Sequence, residues 1–291
     1  MKQFNIKEAL QKLYSGKKMI KLPEGGMSFA YEVDENIIRI PKTEYAENGY
    51  LCEKAILDYL HATIDCTQLP DISIKKEPFF HTVHRKIPGI YWSEKEYLSK
   101  SNAVRDALAE DCAVFFAELH ASDVTKIHTR LLELHPIQKN MELYLKDFFT
   151  PHEMGEIVKF TNPLFVLPKD DLTLVHHDFY PDNFLLRDDY RLNGVLDFGN
   201  SGIYNYMFDF KALVSWERGI NDFFHRIASR YTRICGRHID IKTIQRIDIH
   251  NYISLLLYFT KNKHIKDEKI NVVGNLRKHV DHIKKKMCRY A

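Results

Sequence analysis

The sequence has no apolar run long enough to cross a bilayer. Its longest candidate, residues 255–259 with their neighbours, falls far short of the roughly 20 residues that a spanning helix needs. The opening segment MKQFNIKEALQKL scatters charges among single apolar residues, where a secretory signal would carry a continuous apolar stretch. The expectation is a soluble, cytoplasmic protein with no membrane partner, beginning with a short amphipathic helix. Cysteine is sparse and unpaired in pattern: Cys52, Cys66, Cys112, Cys235 and Cys288 are widely separated, with no C-x-x-C and no His companion at zinc spacing. They read as reduced thiols, and no nearby base marks any of them as a nucleophile. Internal repeats and low-complexity linkers are also lacking. A chain of 291 residues is long enough for two lobes with separate cores and a cleft between them.

Net charge is small, at +3, but unevenly spread: residues 201–291 carry eighteen Lys or Arg against eight Asp or Glu, giving +10 and leaving −7 for residues 1–200. The expectation is that much of this excess sits on outer helix faces, especially at Lys284, Lys285 and Lys286. No nucleic-acid motif accompanies it, so no nucleic-acid partner is expected.

The densest chemistry lies in TLVHHDFYPDNFLL, followed by LNGVLDFGN. Thr173 to Val175 is a short β-branched run that predicts a strand, with a loop from His176 to Asn183 and a second strand from Phe184 to Leu186. After a polar turn, Gly194 to Leu196 delivers Asp197 at the end of another strand. Phosphoryl transfer asks little covalent chemistry of a protein, which must position an acceptor hydroxyl and hold magnesium against the phosphates. Asp178 is the candidate to orient that hydroxyl and take its proton. Magnesium prefers oxygen ligands and keeps waters and substrate phosphates, a habit that one amide oxygen from Asn183 and one carboxylate from Asp197 suit. H-x-D-x-x-x-x-N alone recurs by chance, but D-F-G fourteen residues after Asn183, with both pieces on apolar strand ends, makes coincidence a poor account. His176 has two readings, a loop-holding hydrogen bonder and a proton carrier, and the first is preferred.

Residues 17–90 read as strand-rich, with runs at Lys18–Leu22, Ser28–Val33 and Ile37–Ile40, a helix at Glu44–Leu60, and strands at Ile72–Ile74 and Thr82–Ile87 that end sharply at Pro88-Gly89. From Ser101 the pattern turns helical. Ser101 can cap the next helix, and Pro136 and Pro151 sit at expected helix starts. Further helices are predicted over residues 210–216, 223–234, 241–259 and 272–287.

These motifs resemble the aminoglycoside phosphotransferase and choline kinase superfamily, with HHDFYPDNFLL and GVLDFGNSGIYNYMFDF looking like its catalytic loop, metal loop and following Asp-bearing helix. The DFYPDN wording looks closest to the 2''-aminoglycoside phosphotransferases. The resemblance implies an α+β, bilobal, protein-kinase-like fold: a nucleotide-binding lobe over 1–88, with a small antiparallel sheet and one helix, and a larger, mainly helical lobe over 89–291 that binds the acceptor. Protein kinases share the Asp, Asn and D-F-G roles, but here Tyr180 stands where they carry Lys, and only eleven residues separate Asp197 from Asp209. No peptide-docking segment ending in A-P-E fits there. A small acceptor is expected.

For the nucleotide, Gly25 and Gly26 lie between two expected strands without a full G-x-G-x-x-G, and by resemblance Ser28 sits at the tip that meets the phosphates. The family's third-strand Lys corresponds to Arg39, with Lys42 the alternative, and its helix Glu to Glu53 rather than Glu47. Arg keeps the charge, but its broad fork is not a compact ammonium. HRKIPG resembles the segment that pairs with the adenine edge, assigning that contact to the Arg85 carbonyl and the Ile87 amide, with His84 guarding the pocket. The implied activity is an ATP- or GTP-dependent, magnesium-requiring transfer of the γ-phosphate to a hydroxyl of an aminoglycoside-like molecule, with Glu217 and Asp222 as candidate acidic contacts. The basic C-terminal region and Asn200, where many relatives have Asp, keep open a metabolic kinase for an amino alcohol, sugar or nucleoside. Arg39 keeps open a catalytically weak nucleotide-binding protein. The partners are nucleotide and small-molecule acceptor, and the oligomeric state stays open.

Overall fold

The computed structural model describes residues 6–23, 28–127, 137–166, 171–215, 217–261 and 272–290. Gly25, Gly26 and Pro136 lie outside the described residues. The chain gathers into two compact units, Met1–Arg130 with His176–Gly202, and Leu131–Val175 with Ile203–Ala291.

The first unit opens with α1 (Ile6–Leu13), whose Leu10 is buried. Then come β1 (Met19–Lys21), β2 (Ser28–Val33), β3 (Asn36–Pro41), α2 (Glu44–Leu60), β4 (Ser73–Lys75) and β5 (His81–Arg85). The five strands form one antiparallel sheet in the order β1-β2-β3-β5-β4. Strand alternation decides its faces. Tyr31, Val33, Ile38 and Ile40 pack with Leu10 in one core cluster, so Arg39, between two of them, points to the opposite face. α2 starts where Thr43 accepts the Ala46 amide at 3.2 Å.

Past Gly89 the first unit continues with β6 (Ile90–Tyr91), α3 (Glu94–Ser99) and α4 (Asn102–His120). Ser101 caps α4 by accepting the Val104 amide. β7 (Leu172–Val175) belongs to the second unit, and the chain then returns to the first with β8 (Phe184–Leu186) and β9 (Leu192–Val195), which join β6 in a three-stranded sheet. The pairing explains Gly89: at φ +148° it lies so close to β8 that a Cβ would sit 2.9 Å from the Leu185 Cβ.

β10 (Gly202–Asn205) pairs with β7. The second unit also holds α5 (Gln138–Tyr144), α6 (Pro151–Thr161), α7 (Arg218–Cys235), α8 (Ile241–Lys261) and α9 (Val272–Tyr290). Pro151 occupies the first turn of α6, behind a capping box between Thr150 and Glu153. The helix expected over 210–216 is instead a buried 3₁₀ segment, Tyr206–Val214. β6, α3 and β10 were not anticipated. No described helix is long and apolar enough to cross a membrane.

Candidate active site

The loop after β7 is built around His176, which is fully buried. Its Nε2–H donates to the Leu196 carbonyl at 2.9 Å, and its Nδ1 accepts the Asp178 amide at 3.3 Å. The ring lies 4.6 Å from that of Phe198, and Ser201 Oγ donates to the His176 carbonyl. His176 therefore stitches the Asp178 loop to the strand end that carries Asp197, the loop-holding reading of its role. The neighbouring His177 takes a left-handed φ of +68°, a backbone cost that a tightly determined turn can carry.

Asn183 closes the same loop. It ends a 3₁₀ turn begun by Pro181, and its Nδ2 donates to the Asp178 carbonyl at 2.8 Å. With the amide nitrogen so engaged, Oδ1 is the face it offers elsewhere. The Leu196 amide donates to the Asn183 carbonyl at 2.8 Å, which fastens the loop beside Asp197. Asp197 itself is left-handed, with φ 62°. A Cβ on Gly199 would stand 3.3 Å from Asp197 Oδ1, so glycine keeps that carboxylate clear.

A buried ion pair completes the set. Arg39 Nη2 donates to Glu53 Oε2 at 2.7 Å, with side chains 14% and 1% exposed. The other Glu53 oxygen accepts the Phe198 amide at 3.3 Å, so one carboxylate holds both the β3 arginine and the backbone next to Asp197. Burial opposes the Arg39 charge most, yet Glu53, with Tyr50 and Asp197 adding to it, holds the guanidinium above its ordinary pKa. The Arg39 guanidinium carbon lies 4.6 Å from the centre of the Tyr50 ring.

These groups share one cavity of about 440 Å³. Ser28, Arg39, Asp178, Asn183 and Asp197 are among its polar lining, with Leu22, Ile37, Ala46 and Pro70 among its apolar lining. His84 and Tyr91 line it as well, whereas Arg85 and Ile87 do not. Ile87 packs against Gly194, where a Cβ would meet its Cγ2 at 2.7 Å. His84 Nδ1–H donates to the Arg85 carbonyl at 3.0 Å. Burial, with Arg39 adding to it, lowers the His84 pKa from 6.5 to about 4. Glu217 and Asp222 belong to the second unit: Glu217 is exposed just before α7, and Asp222 accepts Arg226 Nε at 2.9 Å. Tyr50 escaped the sequence reading, although it lies one helical turn before Glu53 and so on the same face.

The phosphotransferase enzyme family matches residues 20–234. The chain belongs to this family. Among solved structures, this phosphotransferase is similar to aminoglycoside phosphotransferase APH(2'')-Ib bound to ADP, with TM-score 0.74, 20% identity and 98% of each chain covered. It is also similar to APH(2'')-IIIa in complex with GDP and kanamycin, with TM-score 0.71, 18% identity and coverage of 94% of this chain and 93% of that one. The macrolide 2'-phosphotransferase MphH of Brachybacterium faecium gives TM-score 0.64 at 13% identity, covering 94% of this chain and 98% of that one. The fold is thus the α+β protein-kinase-like one, and the chain is a phosphotransferase.

Proposed function

We propose that this phosphotransferase moves the γ-phosphate of ATP or GTP to a hydroxyl of an aminoglycoside-like molecule, with residues 1–88 binding nucleotide and residues 89–291 supplying catalysis and the acceptor site. The observation that carries the reading is the lining of one cavity by Asp178, Asn183, Asp197 and the Glu53-held Arg39. Asp178 orients the acceptor hydroxyl and takes its proton. Arg39 and Ser28 meet the phosphates, and the base edge, where it extends past His84 at the cavity wall, meets the backbone of Arg85 and Ile87.

The donor set fits magnesium. Asn183 Oδ1 and the Asp197 carboxylate are both hard oxygen donors, too few for an all-protein cage and suited to an ion that keeps waters and phosphate oxygens. Held there, it would neutralise charge developing on the transferred group. Asp197→Ala is expected to abolish the magnesium dependence of nucleotide binding in calorimetric titrations. The same magnesium effect in the variant and the native protein would refute the assignment.

Glu217 and Asp222 are the proposed carboxylates for a cationic acceptor. Two observations favour a second reading, a metabolic kinase: Asp222 is already matched by Arg226, and residues 201–291 carry the +10 excess. Nucleotide consumption by the purified protein, measured over panels of antibiotics and of amino alcohols, sugars and nucleosides, separates the two. If aminoglycosides at about millimolar concentration, the upper end of usual KM values, fail to stimulate it, the antibiotic reading falls.

A further inference from the structure

A lysine and an arginine do not present charge alike. An ammonium is compact and indifferent to rotation, whereas a guanidinium is a flat fork whose N–H bonds are useful only if its plane is set. Something must therefore orient Arg39. Glu53 holds one corner, Nη2. The Tyr50 ring lies against the guanidinium at 4.6 Å, a distance at which an aromatic face attracts a cation. Ser28, the first residue of β2, lines the same cavity as Arg39. Tyr50 and Glu53 thus grip Arg39 from one face of α2. The arrangement leaves Arg39 Nε buried with no hydrogen-bond partner, on a side chain that lines the cavity. A buried N–H is costly to leave unpaired, and the oxygen of an anion would satisfy it. Burial, against the pull of Arg39, holds the Tyr50 hydroxyl above its ordinary range, so Tyr50 stays neutral and adds no charge to repel that anion.

We infer that Tyr50 is a positioning residue that makes Arg39 a phosphate clamp in place of lysine, its ring fixing the guanidinium plane so that Nε–H meets a nucleoside triphosphate oxygen. The inference rests on the nucleotide reading of this cavity. Its test is a cycle on the full-length protein, titrated calorimetrically with magnesium ATP and magnesium GTP. Tyr50→Met is expected to weaken binding about tenfold, within the range of a desolvated cation–aromatic contact. Tyr50→Phe, which keeps the ring, is expected to recover most of that loss. In an Arg39→Lys background, which needs no oriented plane, Tyr50→Met is expected to cost about twofold or less.

Equal losses in the Arg and Lys backgrounds would make Tyr50 a packing residue only and overturn the inference, as would Phe binding as weakly as Met. If the native protein binds neither nucleotide, the cavity reading falls and takes the inference with it. Native binding left intact by Tyr50→Met sinks the inference alone. A readout without any change at position 50 guards against a misfolded variant. The Arg39 Nε–H resonance, assigned by its loss in Arg39→Lys, is expected to be distinct from those of exposed arginines in the free protein and to shift when nucleotide is added. A resonance averaged with exposed arginines, or unmoved by nucleotide, overturns the proposal.

Discussion

At Asp178 the backbone carbonyl accepts the Asn183 side chain at 2.8 Å and the Tyr180 amide at 2.9 Å, while Asn183 Nδ2 reaches one carboxylate oxygen only at 3.5 Å, so the loop is held chiefly through its main chain and the other carboxylate oxygen is left to meet a hydroxyl. Removing its basicity while keeping its shape should then touch chemistry and leave binding alone. Asp178→Asn is expected to cut turnover about a hundredfold or more while nucleotide affinity holds, as measured by steady-state kinetics beside titration. His84 offers a pH test. Burial keeps it neutral in the folded protein down to about pH 4, against 6.5 for an ordinary histidine. Between those values the unfolded chain binds a proton that the folded chain refuses, so stability falls as pH drops from 6.5 towards 4 and levels below. The slope from this group is at most about 1.4 kcal/mol per pH unit. Urea unfolding midpoints across that window should be flatter in His84→Gln, and an unchanged slope would show that His84 is not the group.

At the scale of elements, Glu53 joins α2 to β3 through Arg39 and to the start of the D-F-G turn through the Phe198 amide. Glu53→Gln removes the carboxylate and leaves Arg39 buried without its counter-charge, a change expected to cost about 3 to 5 kcal/mol of stability. Thermal unfolding gives the cost, and weakened nucleotide binding beside it would mark the loss of an ordered Arg39. These connections also show what the sequence could reveal. The Asp178–Asn183 loop stood out because oxygen-bearing residues interrupt short apolar runs, and the pairing of Arg39 with Glu53 was reachable because strand alternation and helix periodicity each choose a face. Tyr50 was missed because an aromatic residue at helical spacing reads as core, and only the fold brings a cation beneath it. β6 has two residues, too few for any period to register. The helix expected over 210–216 falls on the 3₁₀ segment Tyr206–Val214, where nearly every side chain is apolar or buried, so no one-sided pattern tells i→i+3 from i→i+4 bonding. Asp222 looked available as a substrate contact because the sequence does not show which rotamer Arg226 adopts.

At the scale of the whole molecule, the cavity residues all belong to the first unit, while the second carries its own buried charge. There Lys286 of α9 donates to Asp248 of α8 and to the Val214 carbonyl, and the Tyr290 hydroxyl donates to Asp248 at 3.3 Å. Burial raises the Asp248 pKa and lowers that of Lys286, and their mutual attraction offsets only part of it. Such a pair adds little over well-packed apolar side chains, but breaking it leaves a stranded charge. Asp248→Asn is therefore expected to cost about 3 to 5 kcal/mol, and the double change Asp248→Leu with Lys286→Met far less. Nucleotide gives a second handle, since a ligand that binds only the folded state raises the unfolding temperature by mass action. Because Asp248 lies in the unit that lacks the cavity residues, Asp248→Asn should lower the unfolding temperature yet keep the upward shift produced by saturating magnesium nucleotide. Thermal scans of the native and variant proteins, with and without nucleotide, measure both effects. Loss of that shift in Asp248→Asn would mean that nucleotide binding depends on the second unit and would overturn its assignment to residues of the first alone.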